Sequence, residues 1–355
     1  MAGKDGKVTP QRTQVALVIG AGAPNATLMA GALCLFCERG VAFDIVFTSG
    51  AGGLLGLLYM APKGKTPVEA LQDTINFGVS DLIYNLFPFG YKTFFKAGPF
   101  TELFMRWGQY IPRFQLHFSE RHHNARQRLY NDWIDWWVTA LTPTSLHHRS
   151  AGLTTRPPFI DDLIDFTALR NAPGEFYMNA FSLTDKTMVR FDKEVITKEH
   201  FYATMAFPFI YPPYEMNGQF YIEGGIIDPL NFANLPHPGT IKTVVVFDVL
   251  KNYLLRRPRN IWDAYQISIV TPIVSLADKA LQDFEDSTRQ DRSIFYTINL
   301  HRISTKREDM DFDIPEEQYP YLLEWSYSNL LRLWEIGYRA GERFYEQYGQ
   351  DLPHR

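Results

Sequence analysis

The amino-acid sequence predicts an α/β fold, with a mainly parallel sheet between helices and an aromatic-rich helical cap insertion. The first observation is a pair of short apolar runs, residues 15–19 and 43–47, which are typical of buried parallel strands. The second is that each run leads through a glycine-containing turn into an apolar segment with helical spacing, at residues 26–39 and 54–60. Strands that alternate with helices in this way place a parallel sheet between two helical layers.

The third observation concerns residues 64–150, in which aromatic and basic residues interleave between Pro and Gly turns. This pattern predicts helices that lie over one edge of the sheet as a cap. We expect one α/β domain over residues 14–355, a helical cap insertion at residues 64–160 and a loose N-terminal tail at residues 1–13. The chain contains no internal repeat and no low-complexity segment that would favour two domains.

The remaining elements follow in chain order. Residues 175–195 alternate between apolar and polar and predict a hairpin around Thr184-Asp-Lys186. The other predicted elements are a short strand at 220–222, a buried strand at 242–249, a helix at 260–287, a last strand at 294–298 and an amphipathic C-terminal helix at 315–348.

Composition excludes several classes of protein. With 46% hydrophobic and 21% charged residues, the chain is neither disordered, collagenous nor a coiled coil. A formal net charge of −4 gives no bulk attraction to nucleic acid, so we expect no nucleic-acid partner. Two cysteines do not make a disulfide scaffold, and Cys34 and Cys37 are predicted to be core thiols because no second pair of zinc ligands accompanies them.

We expect no metal and no cofactor. His122-His123 and His147-His148 lack partners at metal-ligand spacing and are expected to be solvated. The polar N-terminus and the short apolar runs predict no secretory signal and no membrane span, hence a cytoplasmic protein. Aromatic residues make up 15% of the chain, which favours either a large apolar pocket or peripheral contact of the aromatic and basic cap with a membrane.

Three glycine-containing blocks carry the chemical information in this sequence. Gly20-Ala-Gly-Ala-Pro-Asn25 follows the first predicted strand, and Thr48-Ser-Gly-Ala-Gly-Gly53 follows the second. Glu223-Gly-Gly-Ile-Ile-Asp-Pro229 comes later, ten residues after the end of Ala203-Thr-Met-Ala-Phe-Pro-Phe-Ile-Tyr-Pro-Pro213. In these blocks and their order, the sequence resembles the patatin-like acyl hydrolases. In that family the blocks are an oxyanion loop G-G-G-x-R-G, a nucleophile elbow G-x-S-x-G and a D-G-G/A that supplies the aspartate of a Ser–Asp dyad.

The resemblance implies a patatin-like core, yet each family position that carries hydrolysis is altered here. The nucleophile serine position holds Gly50, the first elbow glycine is Thr48, and Gly52 retains the second. The dyad aspartate position holds Glu223, a carboxylate that is longer by one methylene. The oxyanion loop reads Ala21-Gly22-Ala23 with Asn25 at the arginine position, and Pro24 between them has no N–H to donate.

A glycine at the elbow also has a physical consequence. The elbow conformation costs a residue other than glycine on the order of 1–3 kcal/mol, and Gly50 relieves that strain. The turn can therefore persist as a scaffold, with the N–H groups of Gly50, Ala51 and Gly52 at a helix N-terminus able to hold a carboxylate or carbonyl oxygen.

The sequence leaves three functions open. In the first, the chain is a patatin-like protein without the hydrolytic dyad, which binds an acyl or other long apolar ligand and uses Glu223 for non-hydrolytic acid–base chemistry. In the second, it is a lipid-binding pseudoenzyme and Glu223 is a structural carboxylate. In the third, it is a lipid acyl hydrolase with a shifted nucleophile, Ser49, although neighbouring strand residues face opposite sides and Ser49 is expected to point elsewhere.

Overall fold

A computed structural model describes residues 14–22, 26–86, 125–141, 151–152, 160–232, 241–249, 257–259, 261–290, 299–304 and 324–354. The strands are β1 (Gln14–Ile19), β2 (Ile45–Thr48), β3 (Glu175–Ser182), β4 (Thr187–Asp192), β5 (Tyr214–Met216), β6 (Gln219–Glu223), β7 (Ile241–Asp248) and β8 (Asn299–Ser304). The helices are α1 (Ala26–Glu38), α2 (Ala51–Met60), α3 (Pro67–Gln72), α4 (Asp81–Leu86), α5 (Ala125–Leu141), α6 (Ile160–Leu163), α7 (Phe166–Asn171), α8 (Lys198–Thr204), α9 (Ile261–Gln290) and α10 (Tyr327–Tyr348).

The strands form one eight-stranded sheet in the order β5-β6-β3-β2-β1-β7-β8, with β4 paired to β3. The four pairs β3–β2, β2–β1, β1–β7 and β7–β8 are parallel and form one block. The antiparallel pairs β3–β4, β3–β6 and β5–β6 lie on one side of that parallel block. The prediction of a mainly parallel α/β sheet is confirmed.

Both faces of β1 are buried, which explains why its residues 15–19 are all apolar. Leu17 and Ile19 belong to an apolar cluster that includes side chains of α1, α2 and α10. Ala16 and Val18 belong to a second cluster, which includes side chains of α9. Because successive strand residues point to opposite faces, a strand covered on both sides has no polar position.

Several predicted boundaries were wrong. Helix α2 begins at Ala51, three residues before the predicted start, with Gly50 as its N-cap residue. Strand β5 was not predicted. The predicted last strand at 294–298 lies outside the described residues, and the strand that pairs with β7 is β8. The C-terminal helix begins at Tyr327 rather than near residue 315, because the Ser326 hydroxyl accepts a hydrogen bond from the backbone N–H of Asn329 and caps the helix.

Other predicted elements are confirmed. Strands β3 and β4 form the expected hairpin, whose last antiparallel pair is Ser182 with Thr187. Helix α1 is followed by Gly40 with φ of 69°, as a helix C-terminus favours. Within the predicted cap, α3, α4 and α5 are helical, whereas residues 87–124 and 142–150 lie outside the described part of the chain. The predicted N-terminal tail, residues 1–13, lies outside it as well.

Candidate functional site

The turn between β2 and α2 has the geometry of a tight strand-to-helix elbow. Ser49 donates its backbone N–H to the Ile19 carbonyl at 3.1 Å, which holds the end of β2 against β1. Gly50 then takes φ of 50° and ψ of −127° and starts α2. Only glycine adopts this backbone conformation without strain, so Gly50 forms the elbow without the cost that another residue would bring.

The first turn of α2 lies directly against the end of β1. A Cβ built on Gly52 would lie 2.2 Å from the Ile19 carbonyl oxygen and 2.6 Å from that of Gly20. No side chain fits there, which explains why this elbow position retains glycine. The Gly52 N–H donates to the Ser49 carbonyl at 2.9 Å, so this amide is already used within the turn.

Glu223 is brought to the elbow by β6. Its backbone N–H donates to the Ala206 carbonyl at 3.0 Å, and it pairs with Ala180 of β3. The side chain is 8% exposed. A Cβ built on Gly50 would lie 2.1 Å from Glu223 Oε1 and 2.8 Å from its Cδ. The carboxylate therefore occupies the space that the side chain of a serine at position 50 would need.

Four of the predicted site residues meet around one point in the structure. A Cβ built on Gly225 would lie 2.7 Å from Ala21 Cβ, 3.1 Å from Glu223 Oε1 and 3.1 Å from Ser49 Oγ. Ala21 Cβ also lies 3.2 Å from the position of a Cβ on Gly50. The oxyanion-loop position, the elbow and the dyad-acid position are thus adjacent, as the sequence blocks imply.

The Ser49 side chain is committed to a structural contact. It is fully buried, and its hydroxyl donates to the Asp228 carbonyl at 3.1 Å. The same carbonyl accepts a hydrogen bond from Asn179 Nδ2 at 2.9 Å, and Asp228 Oδ1 accepts one from the backbone N–H of Phe232 at 3.1 Å. These bonds tie the turn after Glu223 to β2 and β3. Asn179 was missed by sequence reasoning, because a single Asn inside a strand belongs to no motif.

The loop after β1 uses its first amides for backbone pairing. Gly20 donates to the Phe247 carbonyl at 3.1 Å, and Ala21 donates to the Pro229 carbonyl at 3.0 Å. Gly22 has φ of 140°, and its carbonyl accepts from the N–H of Ala26 at 2.6 Å. The remaining loop residues proposed for anion binding, Ala23 and Asn25, lie outside the described residues. In the described part of this loop, the Ala21 N–H is therefore used in a backbone hydrogen bond and does not face a site for an oxyanion.

An apolar cluster adjoins this point. Its buried members are Ala21, Ile273 and Val274. Half-buried side chains pack against them. Phe207 lies between α8 and β5, Ile226 lies in the turn after Glu223, and the other three belong to α9: Ile267, Ile269 and Val270. Ala21 belongs both to this cluster and to the surroundings of Glu223, so the cluster lies next to the carboxylate.

Neither a metal site nor a reactive thiol accompanies this arrangement in the described residues. No group of three or more His, Cys, Asp or Glu side chains converges there to hold a metal ion. The paired histidines at 122–123 and 147–148 lie outside those residues. Cys34 is buried in α1, with its Sγ 3.6 Å from Glu38 Oε1, and burial raises the pKa of both Cys34 and Cys37 to about 12. Among the described helices, none is both long enough and apolar enough to cross a bilayer.

The fold and the elbow define the class of this protein. A family model described as patatin-like phospholipase matches residues 17–235, which is well over half of the chain. The chain therefore belongs to the patatin-like phospholipase family. Among solved structures it is similar to VipD from Legionella pneumophila, with 11% sequence identity and a TM-score of 0.35 over 92% of this chain and 67% of that chain. A search of curated proteins found no significant match.

Proposed function

We propose that this member of the patatin-like family has lost serine-based hydrolysis, binds an acyl or other long apolar ligand, and uses Glu223 for non-hydrolytic acid–base chemistry on it. The observation that carries the proposal is the position of the Glu223 carboxylate. Its Oε1 lies where the side chain of the nucleophile would begin, 2.1 Å from the position of a Cβ on Gly50. The group that faces the ligand at the elbow is therefore a carboxylate instead of a hydroxyl.

The surroundings of Glu223 suit a group that exchanges a proton. The carboxylate is buried, and it lies beside Gly50 at the N-terminus of the ten-residue helix α2. Helix N-termini favour negative charge, so this position suits the side chain of an acid. A carboxylate held in this way can take a proton from a ligand atom within about 3 Å and return it to another. Isomerisation, cyclisation and elimination are reactions of this kind.

The apolar cluster supports a ligand with a long apolar part. Phe207, Ile226 and Val270 are only half-buried, although each packs against buried neighbours. Half-buried apolar side chains beside a buried polar group are typical of sites that seat an apolar ligand and orient it by one polar contact.

Hydrolysis through Ser49 is poorly supported by the geometry. The Ser49 hydroxyl is fully buried and donates its proton to the Asp228 carbonyl, which is not a base. The Ala21 amide, which would serve as an oxyanion donor, is bound to the Pro229 carbonyl. Losing even one such donor costs about 2.7–4 kcal/mol in transition-state stabilisation.

A lipid-binding pseudoenzyme is the second candidate, and the tight packing of Glu223 favours it. The carboxylate lies between Gly50, Ala21 and the Gly225 backbone, where it could serve only to fill the space left by the serine. Glu223→Gln separates the two candidates, because the amide keeps the shape of the side chain and cannot act as a base.

The experiment that tests the proposal measures the incorporation of deuterium from the solvent into the bound lipid. The wild-type protein and the Glu223→Gln variant are incubated with a total lipid extract in D₂O, and the bound lipid is identified by native mass spectrometry. We expect both proteins to retain the same lipid and only the wild type to introduce deuterium into it. Retention by both without deuterium would support the pseudoenzyme. A fragmented lipid, with fragmentation abolished by Ser49→Ala, would restore the hydrolase.

Peripheral contact with a membrane completes the proposal. Two helices of the predicted cap expose large apolar side chains to solvent: Leu82 and Leu86 in α4, and Tyr130, Trp133 and Trp137 in α5. Trp and Tyr are favoured at the membrane–water interface, where an apolar ring and a polar group are both accommodated. Flotation with phosphatidylcholine–phosphatidylserine vesicles, compared between wild type and Trp133→Ser/Trp137→Ser, tests this contact. Equal flotation of the two proteins would contradict it.

A further inference from the structure

Two aromatic side chains form an exposed pair beside the apolar cluster. Phe209 is 41% exposed and Tyr265, in α9, is 36% exposed. Their ring centroids are 5.1 Å apart at an interplanar angle of 56°. We refer to Phe209 and Tyr265 as the aromatic lip. Large aromatic side chains normally bury most of their surface, so an exposed pair next to an apolar cluster calls for an explanation.

The backbone of Phe209 is strained. Its φ is 74°, in the left-handed region that favours glycine, and it makes an isolated parallel bridge with Gly152. Bulky residues are rare in this conformation because Cβ crowds the backbone. Such strain persists only when the surrounding structure maintains it, and strained residues cluster at ligand sites. A phenylalanine is therefore held at a position where a glycine would be more stable.

The aromatic lip is continuous with the surroundings of Glu223. Phe207 precedes Phe209 by two residues and packs on the cluster that contains Ala21 and Ile226. On the other side, Ile269 lies about one helical turn after Tyr265 in α9, on the same face of the helix, and packs on the same cluster. Ala21 Cβ in turn lies 2.7 Å from the position of a Cβ on Gly225, where Glu223 Oε1 also converges. Apolar residues thus connect the lip, through the cluster, with the residues around the buried carboxylate.

We propose that the aromatic lip seats the far end of the ligand's apolar chain and makes the site selective for long chains. This inference rests on the proposed function, since it assumes that the polar end of the ligand lies at Glu223. An apolar chain laid along the cluster would leave the site between Phe209 and Tyr265, and both rings would lose solvent exposure on binding. A short chain would not reach them. The strain at Phe209 is then the cost of placing a ring at this exit.

The test measures affinity and stability together. A pyrene-labelled long-chain fatty alcohol is titrated into wild type, Phe209→Gly, Tyr265→Ala and the control Phe220→Ala, and the thermal midpoint of each protein is recorded. Phe220 is a suitable control because it is 47% exposed and lies in β6, without positive φ. We expect about tenfold weaker binding for Phe209→Gly and for Tyr265→Ala, as expected when one aromatic contact is lost, and no change for Phe220→Ala.

Stability separates a lost contact from a damaged fold. Phe209→Gly removes the strained side chain, so its thermal midpoint should rise while its affinity falls. Unchanged affinity in both lip variants would overturn the inference about the lip while leaving the proposed function standing. Failure of the wild type to bind the long-chain probe would overturn the proposed function itself. Equal competition by short-chain and long-chain alcohols would overturn the selectivity for long chains.

Discussion

At the scale of single residues, two neighbouring positions of the candidate site are complementary in size. Gly50 provides the space, and the extra methylene of Glu223 carries the carboxylate into it, so that Oε1 lies 2.1 Å from the position of a Cβ. Glu223 can place its carboxylate at this point only because residue 50 has no side chain. The sequence showed both residues at the expected positions, but it did not show that they touch, because contact across strands depends on side-chain placement.

Gly50→Ser is therefore expected to destabilise the protein rather than restore a hydrolase. The serine would keep positive φ and its Cβ would displace the Glu223 carboxylate, for a loss of about 1–3 kcal/mol in the free energy of unfolding, mainly from backbone strain. Denaturant unfolding measures this loss. Gly50→Ser/Glu223→Asp should recover part of it, because the shorter acid withdraws from the collision. A single variant as stable as wild type would show that the contact does not exist.

The buried hydroxyl of Ser49 leads to a second prediction at this scale. Because Ser49 is fully buried and donates to the Asp228 carbonyl, a fluorophosphonate should leave the wild-type protein unlabelled. Intact-mass measurement after exposure to the reagent checks this outcome, with Ser49→Ala as the matched control. An adduct on the wild type that is missing from Ser49→Ala would contradict the structural role assigned to this side chain.

At the scale of elements, the N-terminus of helix α8 is capped by His200, whose protonation is affected by burial. Thr197 precedes the helix, and its backbone N–H donates to His200 Nδ1 at 3.3 Å, while its hydroxyl lies 2.9 Å from the same nitrogen. The edge of the Phe191 ring packs on the imidazole, with centroids 4.6 Å apart. Burial lowers the pKa of His200 below its ordinary value of 6.5, and the neighbouring Glu199 opposes this shift only in part. The neutral imidazole is thus the form that caps the helix.

This cap predicts a pH dependence of stability. Above the unfolded-state pKa of about 6.5, both states carry a neutral His200 and stability is complete. As the pH falls below that value, the unfolded state takes up the proton first, so stability declines until the lowered folded-state pKa is passed. Denaturant unfolding between about pH 8 and about pH 5 measures the decline. His200→Gln should reduce it, since Gln keeps the cap and does not titrate there; an equal decline in both proteins would exclude His200 as its source.

The helices and strands also show which elements of this fold can be predicted from the sequence. The runs that became β1 and β2 are continuous and apolar because both faces of each strand are buried, so they were recognised. The start of α2 was missed because Gly52 and Gly53 have low helix propensity, whereas here close approach to β1 requires a small residue. Strand β5 has three residues, too few for a periodic signal.

At the scale of the whole molecule, the C-terminal helix is tied to the first helix by contacts between backbones. A Cβ on Gly337 of α10 would lie 1.7 Å from the Leu28 carbonyl oxygen, and a Cβ on Gly31 of α1 would lie 2.0 Å from that of Trp334. Beyond α10, the Pro353 carbonyl accepts a hydrogen bond from the Ala42 N–H at 3.0 Å. The family match ends at residue 235, yet the last helix of the chain packs on an element within the match.

Gly337→Ala should therefore be strongly destabilising although alanine is the better helix former. The added methyl collides with backbone rather than with a flexible side chain, and overpacking of this kind costs about 1–3 kcal/mol or more. Gly341→Ala is the graded control, because its Cβ would lie 3.0 Å or more from Ala32. Thermal unfolding should rank wild type, Gly341→Ala and Gly337→Ala in order of decreasing stability. The reverse order of the two variants would contradict the backbone contact.

The contact between Gly50 and Glu223 also determines how this protein can change over generations. A mutation that returns serine to the elbow meets the long carboxylate, and a mutation that returns aspartate to the dyad position finds no nucleophile to serve. Under the proposed function, neither single step gives a hydrolase. A return to serine chemistry would then require both changes together, because one glycine and one methylene occupy the same space.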